Sequence, residues 1–356
     1  MHSVFMNASI RNRGISGTSM IVDQIEALLE RQADVVLDVA QGPAPVAGLG
    51  PVGRAIRLAQ GVWWDGWAAG RRSRTDAAIY PTAVGGWLSR SGRNILIVHD
   101  LMLFDRSLEY DRGFRLTSTV TFFLSAVSAD VIVTPSAWSK REIARRWPWA
   151  SKKCVVVPWP SRLEPRGGPR KVWSGPGRPN VLMVSSVDPH KNHRRGIEVV
   201  ERARAASGAD FSLTIVGPRG RAEDELRIAT ALHDPQGSWI VRRDSVSDAE
   251  LVELLDTSFA LLNTSLAEGF GLPLLEAAAR DLPVVHSRAG ALNEVLPTPE
   301  GPEVTTQDLA DEIVALLDPD VYAAQVERGR TALARHAPER FEAAFLSIVV
   351  PHEAAR

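Results

Sequence analysis

The chain alternates short apolar runs with longer segments of helical period. The apolar runs of the first half are four to six residues long, rich in Val and Ile, and bounded by Gly, Pro or Asp, which is typical of buried strands. They lie at Ser3–Ala8, Asp34–Val39, Ala77–Tyr80, Asn94–His99, Asp130–Thr134 and Cys154–Pro158. Met20–Arg31 and Ala137–Arg146 between them have helical patterns, and Ser136 suits an N-cap. This alternation predicts a parallel sheet.

The pattern stops in a Gly-, Pro- and Arg-rich stretch at residues 164–179, which reads as an interdomain linker. It then restarts with further apolar runs at Val181–Ser186, Ser212–Val216, Trp239–Arg242, Phe259–Asn263 and Pro283–His286. We therefore predict an α/β fold with two Rossmann-like, doubly wound parallel sheets, in domains 1–163 and 180–337. Ligands of such sheets bind beyond the carboxyl ends of the strands, so we expect two such edges to face a common cleft.

Composition fits a two-domain protein of the cytoplasm. The 356 residues exceed one ordinary core, and 45% hydrophobic with 23% charged residues is a globular balance. No run approaches the roughly 18 apolar residues of a membrane span, and the first ten residues do not resemble a secretory signal. The single cysteine, Cys154, rules out an internal disulfide and fits a reducing compartment.

Charge is distributed unevenly along the chain. Residues 1–165 have a formal charge of +6, and the remainder has −7. The positive part indicates either an anionic partner, such as a membrane surface at the inner face, or scattered solvated arginines without a common role. Neither alternative points to a nucleic acid as partner.

The most informative segment is Asn263–Ala277, where an apolar strand runs into a glycine-bearing loop and then a helix. Pro273 suits the first helical turn, because it has no amide to leave unpaired. Free amides at the helix start favour an anionic ligand, and glycines let that ligand approach the backbone. Glu268 and Glu276 frame this loop.

The string Glu-Gly-Phe-Gly-Leu-Pro-Leu-Leu-Glu-Ala resembles the E-x(7)-E signature of glycosyltransferase family 4, whose members are retaining and have the GT-B fold. The resemblance covers roughly residues 10–345. It implies that Glu268 binds sugar hydroxyls of a nucleoside-diphosphate donor and that Glu276 binds the ribose. It also implies that backbone amides line the sugar and phosphate side, at Gly269, Phe270, Gly271 and Leu272.

A second match is Val184–His193, which resembles the family's loop after the first strand of the donor domain. It implies that Lys191 binds the donor diphosphate and stabilises it as leaving group. Some relatives have an arginine near the position of Ser185 or Ser186, which this chain lacks. Candidates to replace that cation are Arg194, Arg195, Arg219 and Arg243.

Two further matches lie in the first half. Val98–Leu101 resembles the family's His-Asp motif, which implies that His99 faces the transferred sugar, with Asp100 beside it. The segment that begins at Gly14 resembles a degenerate form of the family's glycine loop, which implies contact with the acceptor. In the family a C-terminal helix crosses back onto the first domain, so we place 338–356 there.

Two motifs have competing interpretations. The spacing of Trp63, Trp64 and Trp67, followed by three arginines, fits either a membrane-interface helix or a buried helix face, and we favour the buried face. Asp318-Pro-Asp320 is formally a metal-binding D-x-D, but its position after an amphipathic helix favours a surface loop.

The family resemblance implies transfer of a sugar, with GDP-mannose as the first donor and UDP- or dTDP-sugars as alternatives. It implies a glycan, a lipid-linked compound or a small molecule as acceptor, and it requires neither metal nor other cofactor. The altered Ser186 and Gly14 regions leave a second hypothesis open, in which the chain is a catalytically weak, sugar-nucleotide-binding partner of another transferase. A GT-B epimerase or phosphorylase is a third, although no lysine marks a pyridoxal site.

Overall fold

The computed structural model describes residues 1–13, 17–43, 59–101, 112–168, 177–298 and 304–350. The chain forms two compact units. Unit 1 comprises Met1–Trp159 and Pro338–Arg356, and unit 2 comprises Pro160–Ala337. Gly14 and residues 169–176 of the predicted linker lie outside the described residues.

Unit 1 contains a six-stranded parallel sheet with the order β2-β1-β3-β4-β5-β6. Each strand pairs in register with its neighbours, as in Val4 with Ala77 and Ile97 with Val133. The strands are mostly apolar on both faces, as expected for a parallel sheet covered on both sides. Their bounds are β1 His2–Asn7, β2 Val35–Ala40, β3 Ala77–Tyr80, β4 Arg93–Ile97, β5 Val131–Thr134 and β6 Cys154–Val156.

Four long helices accompany this sheet among the described residues of unit 1. The third begins at the predicted cap, because the Ser136 hydroxyl accepts a hydrogen bond from the Ser139 amide. The last places the ring edge of Phe341 5.6 Å from Trp159, and Ile348 O accepts a hydrogen bond from Arg93. The four helices are α1 Gly17–Glu30, α2 Arg112–Ser128, α3 Ala137–Arg146 and α10 Pro338–Val349, the last of which follows unit 2 in the chain. Pro148–Ser151 forms one short helical turn.

Unit 2 contains a five-stranded parallel sheet with the order β11-β10-β7-β8-β9. The sequence order along this sheet reverses next to β7, which creates the switch point where doubly wound sheets bind ligands. The strands are β7 Asn180–Val184, β8 Ser212–Val216, β9 Ile240–Arg243, β10 Ala260–Asn263 and β11 Val284–His286.

The helices of unit 2 cover the sheet and enclose its apolar core. Phe211, Phe259 and Tyr322 are fully buried there, with ring centroids 5.6–5.7 Å apart from one to the next. The helices are α4 His193–Ser207, α5 Glu223–His233, α6 Asp248–Thr257, α7 Leu272–Ala279, α8 Thr306–Ala315 and α9 Pro319–Arg335; the short turns are Pro189–Lys191 and Leu292–Val295.

These units confirm the predicted fold class, and each of the eleven predicted strands is present with ends within two residues. One preference was wrong. The segment Val62–Ala68 is a π-helical turn in which Trp63 and Trp67 are 52% and 38% exposed, so they are not core residues. Only Trp64 turns inward, where its Nε1 donates to Asn7 Oδ1 at 3.2 Å.

Asp318 also differs from its predicted setting. It is the N-cap of α9, with its carboxylate accepting from the amides of Asp320 and Val321, rather than a member of a free loop. No helix in the described parts of the chain is long and apolar enough to cross a membrane.

Candidate functional site

The loop between β10 and α7 forms the centre of the candidate site in unit 2. Strand β10 lies between β11 and β7, so the loop leaves the sheet at the switch point. Gly271 caps α7 with φ +101°, a left-handed conformation that disfavours other residues. Pro273 lies in the first turn, as predicted. Since Pro273 has no amide and the Leu274 amide donates to Gly271 O at 3.0 Å, Leu272 carries the first amide of the helix.

Glu268 lies buried in this loop beside the predicted lysine. Its Oε1 accepts a hydrogen bond from Lys191 Nζ at 2.5 Å and one from Ser265 Oγ at 2.9 Å. Burial alone would raise the pKa of Glu268, but the Lys191 ammonium and the Ser265 hydroxyl outweigh it, so the pKa lies below its usual value. The carboxylate is therefore ionised at neutral pH and able to accept hydroxyl donors.

Backbone contacts hold Lys191 at this position. It ends the short turn Pro189–Lys191, and Asn192 follows with φ +52°, which reverses the chain into α4. Thr264 Oγ1 reaches the carbonyls of both Lys191 and Asn192, at 3.0 and 2.9 Å. The Leu266 amide donates to His190 O at 2.7 Å. The two loops are thus tied together by main-chain groups, which fixes the ammonium next to the carboxylate.

Glu276 lies buried on α7 and is paired with a residue that the sequence did not indicate. Arg162 Nε donates to Glu276 Oε1 at 2.9 Å, and its Nη1 donates to the exposed Asp248 at 2.5 Å. Burial raises the pKa of Glu276 above its usual value although the Arg162 guanidinium opposes the shift. One oxygen of this carboxylate is directed by Arg162, and carboxylates have room for further donors.

A close backbone approach supports Glu268 from the other side. Gly290 has φ +67°, and a Cβ there would come within 2.3 Å of Glu268 O. The amide of Ala291 donates to the same carbonyl at 2.8 Å. Only glycine fits this close to the backbone of Glu268, so Gly290 helps to hold the Glu268 loop in place.

The four residues whose amides are predicted to line the donor, residues 269–272, are largely buried. Gly269, Phe270 and Gly271 are buried and Leu272 is half-buried. The Phe270 ring meets His336 edge-on at 5.5 Å, which anchors the loop to the end of α9. This packing keeps the loop backbone in one arrangement at the start of α7.

The loop after β7 adds a buried histidine next to Lys191. His193 Nε2 lies 3.1 Å from Ser185 Oγ. Burial, together with the neighbouring cations Arg242 and Lys191, lowers the pKa of His193 to about 4. The ring is therefore neutral and acts as an acceptor or donor rather than as a charge.

Arg243 does not lie with this cluster. It ends β9, from which β10 is separated by β7 and β8, or roughly 14 Å at usual strand spacing. Its side chain is exposed. A role for Arg243 in donor binding stays a prediction.

His99 and Asp100 lie in unit 1, directly after β4. His99 Nε2 lies 3.1 Å from Pro81 O, and since a carbonyl only accepts, Nε2 carries the proton. Its ring lies 5.7 Å from Trp159. Burial lowers the pKa of His99 to about 4 despite the Pro81 carbonyl, so the ring is neutral with Nδ1 as acceptor. Asp100 is half-buried. The catalytic roles given to both residues stay predictions.

Several supporting residues were not predicted from the sequence. They form the bonds that hold Glu268, Glu276 and Lys191, and they are Arg162, Asn192, Thr264, Ser265 and Gly290. Thr264 and Ser265 lie inside Asn263–Ala277 and Asn192 inside the Val184–His193 match, so the two hydroxyls next to an acid were a usable signal. In the described part of the chain, no group of three or more His, Cys, Asp or Glu side chains could hold a metal ion.

Comparison with known proteins places these residues in a family context. Residues 178–319 match the family model of glycosyl transferases group 1, which spans β7 to the start of α9. Over 107 residues the chain is 36% identical to the serotype-specific mannosyltransferase WbdA of Escherichia coli, covering 30% of this chain and 13% of that protein. It is 29% identical over 239 residues to the MMP alpha-(1→4)-mannosyltransferase of Mycolicibacterium hassiacum, covering 58% and 56%.

The chain thus spans a small part of WbdA and about half of the second relative. Similar solved structures include WaaG, a glycosyltransferase involved in lipopolysaccharide biosynthesis, with a TM-score of 0.69, 14% identity and coverage of 98% of this chain and 100% of that one. Anabaena Alr3699/HepE, solved in complex with UDP and glucose, has a TM-score of 0.68, 16% identity and coverage of 98% and 99%. At these identities the likeness shows the fold, which is GT-B.

Proposed function

We propose that the chain is a retaining enzyme that transfers a hexose from a nucleoside-diphosphate donor to an acceptor hydroxyl, as the match of residues 178–319 to glycosyl transferases group 1 supports. The observation that supports this most is the buried pair of Lys191 and Glu268 at the start of α7. An ammonium and an ionised carboxylate beside the N-terminus of a helix match a diphosphate joined to a sugar.

Each residue of the pair has a distinct role in this proposal. Lys191 has three N–H groups, of which one reaches Glu268, so others are available for oxygens of the diphosphate. Glu268 accepts hydrogen bonds from sugar hydroxyls. Glu276 accepts from the ribose hydroxyls with its remaining lone pairs, while Arg162 keeps it oriented. The amides of residues 269–272 line the sugar and phosphate side.

The reaction breaks the bond between the sugar C1 and the diphosphate oxygen and forms a bond from C1 to the acceptor oxygen on the same face. The diphosphate leaves with the bonding electrons and takes the proton of the acceptor hydroxyl. In unit 2 the protein contributes position and charge: Lys191 and the start of α7 stabilise the negative charge that develops on the leaving group. This scheme needs no metal ion.

Mannose is the proposed sugar and GDP-mannose the proposed donor. Two relatives of this chain are named mannosyltransferases, WbdA and the enzyme of M. hassiacum. UDP- and dTDP-sugars are the alternatives, and HepE was solved with UDP. The acceptor is proposed to be a glycan or lipid-linked compound, met in the cytoplasm or at the inner face of the membrane.

A thermal-shift series with nucleoside diphosphates and their sugars tests the donor. A ligand that binds only the folded state raises the melting temperature, and by mass action about 2.7 kcal/mol is gained at 100 times Kd. We expect GDP and GDP-mannose to give the largest shifts, and GDP-mannose to be hydrolysed slowly to mannose and GDP. A larger shift with UDP or dTDP would replace the donor but keep the site.

Two substitutions test the site itself. Glu268→Gln keeps the shape and the Ser265 contact but removes the charge, and Lys191→Met keeps much of the stem. Each is expected to reduce turnover by about 100-fold or more, as for other losses of transition-state stabilisation. The matched control is Arg227→Ala on α5, an exposed cation of unit 2. Normal turnover in both site variants would refute the assignment, and tight donor binding without any turnover would favour the non-catalytic partner.

A further inference from the structure

Helix α2 of unit 1 exposes an apolar face, although its buried side also carries apolar residues, Phe122 and Ala126. Among the side chains of α2 that the structure describes, the well-exposed ones are apolar and 40–67% exposed: Leu116, Val120, Phe123, Leu124 and Val127. Their spacing of four, three, one and three residues puts them on one face of the helix, which we name the α2 face. A surface helix normally turns polar residues to water, so an apolar stripe of this length indicates a surface that is covered in use.

The opposite face of α2 is fixed in the unit by hydrogen bonds. Ser125 is fully buried, and its hydroxyl accepts from the Gly85 amide at 3.0 Å and from Trp87 Nε1 at 2.8 Å. It donates to Thr121 O at 2.7 Å. Rotating the helix to bury the α2 face would break these bonds and leave buried polar groups unpaired. The outward orientation is therefore built into the fold.

Aromatic and basic residues border the α2 face at its carboxyl end. The Trp149 ring, 37% exposed, meets Phe123 edge-on at 5.8 Å. Lys153 lies 5.9 Å from that ring and donates to the carbonyl of Ala129 at 2.6 Å, where α2 ends. Lys152 beside it is exposed. Tryptophan with lysine at the edge of an apolar surface is the pattern of a membrane interface.

More aromatic side chains flank the helix. The π-helical turn Val62–Ala68 packs against α2. It carries the exposed Trp63 and Trp67, and the Arg71 guanidinium lies 5.0 Å from the Trp67 ring. Arg71, Arg72 and Arg74 are themselves exposed. The apolar stripe is thus accompanied by tryptophans and arginines from a second segment.

The charge around the α2 face distinguishes between a second copy of the protein and an anionic membrane as its binding partner. Residues 112–155 contain eight Lys and Arg but two Asp and Glu, and α2 itself has no acidic residue. Two copies of this surface would repel each other, whereas anionic lipid headgroups attract it by about 1 kcal/mol for each nearby cation. We propose that the α2 face docks on the surface of a membrane that contains anionic lipid, with α2 lying in the plane of the interface.

Binding to vesicles tests this proposal without any use of enzyme activity. The full-length protein is sedimented with phosphatidylcholine vesicles that contain either none or about 30% phosphatidylglycerol. We expect the anionic vesicles to bind at least about tenfold more protein, and the difference to shrink in high salt because exposed charges are screened.

The double variant Phe123→Ser with Leu124→Ser removes the centre of the α2 face. Burial of two half-exposed apolar side chains is worth roughly a 10- to 30-fold change in partition, so we expect a loss of that size. The matched control is Ile228→Ser with Leu232→Ser on α5 of unit 2, where both side chains are 60–70% exposed. The control is expected to bind as the wild type does.

A site-specific probe covers the case in which the double variant is unstable. A polarity-sensitive dye is attached to Leu116→Cys or, as control, to Leu232→Cys, since the native Cys154 is buried. Anionic vesicles should shift the emission of the first dye only. The proposal is overturned if neither dye responds, if the double variant binds like the wild type, or if the wild type is a dimer that the double variant dissociates.

Discussion

Removal of Arg162 is expected to destabilise unit 2 by leaving Glu276 in the interior without its partner. Glu276 is 5% exposed and the Arg162 side chain 16%. Truncating one member of a buried ion pair costs about 3–5 kcal/mol. Because Arg162 retains some access to water, we expect the lower end, about 3 kcal/mol, for Arg162→Met. The second contact, to the exposed Asp248, adds little.

The defect has a defined dependence on pH. Burial already raises the pKa of Glu276, and loss of the opposing guanidinium raises it further. A carboxyl whose pKa is raised in the folded state favours folding most below its unfolded pKa, and that contribution is lost as the pH rises through the folded pKa. Arg162→Met should therefore be nearly as stable as the wild type at the acid end and be most destabilised at neutral pH.

Scanning calorimetry across a pH series measures this effect. For the 178 residues of unit 2, about 3 kcal/mol corresponds to roughly 6–12 °C in the melting temperature. Glu276→Gln combined with Arg162→Met should recover much of the loss, because no charge is then buried. An Arg162→Met defect that is independent of pH, or equally large in the Glu276→Gln background, would show that the buried charge of Glu276 is not its cause.

Three further outcomes are expected. Gly290→Ala should lower the melting temperature and slow donor hydrolysis, because its Cβ would meet Glu268 O; we expect a cost of about 2 kcal/mol or more. The control Gly208→Ala has a similar φ of +70° but open space around it, so it should cost less. Equal losses in the two variants would contradict the contact. Burial lowers the pKa of His286 to about 4, so the folded state resists a proton that the unfolded state takes near pH 6.5. The free energy of unfolding, measured by denaturant titration, should then fall by about 3 kcal/mol between pH 6.5 and 4, and by less in His286→Gln. Burial raises the pKa of the Cys154 thiol to about 11, so Ellman's reagent should label it only on unfolding, and rapid native labelling would disprove its burial.

The strands and the loop motif were predictable because their signals are local. Parallel strands buried on both faces appear as continuous apolar runs, and Asn263–Ala277 combines strand, glycine loop and helix start in fifteen consecutive residues. The pair of Lys191 and Glu268 lies 77 residues apart in the chain but could be paired through the family resemblance, and the structure brings the two together.

Contacts without a local signature were not predictable. Arg162 lies 114 residues from Glu276, and no motif in its neighbourhood indicates a partner. Trp63 and Trp67 have helical spacing, and spacing alone does not say which face of a helix meets the protein. On α2 apolar residues lie on both sides, with Phe122 and Ala126 buried and others exposed, so the hydrophobic pattern alone does not predict which side meets the protein. The hydrogen bonds of the buried Ser125 hydroxyl hold the observed orientation.

A crystal structure of the protein with a non-hydrolysable GDP-mannose analogue tests the central claim most directly. The account predicts ribose hydroxyls within about 3.2 Å of the Glu276 carboxylate and a diphosphate oxygen within about 4 Å of Lys191 Nζ, with sugar hydroxyls on Glu268. A nucleotide bound elsewhere, with those three side chains unchanged and untouched, would contradict it.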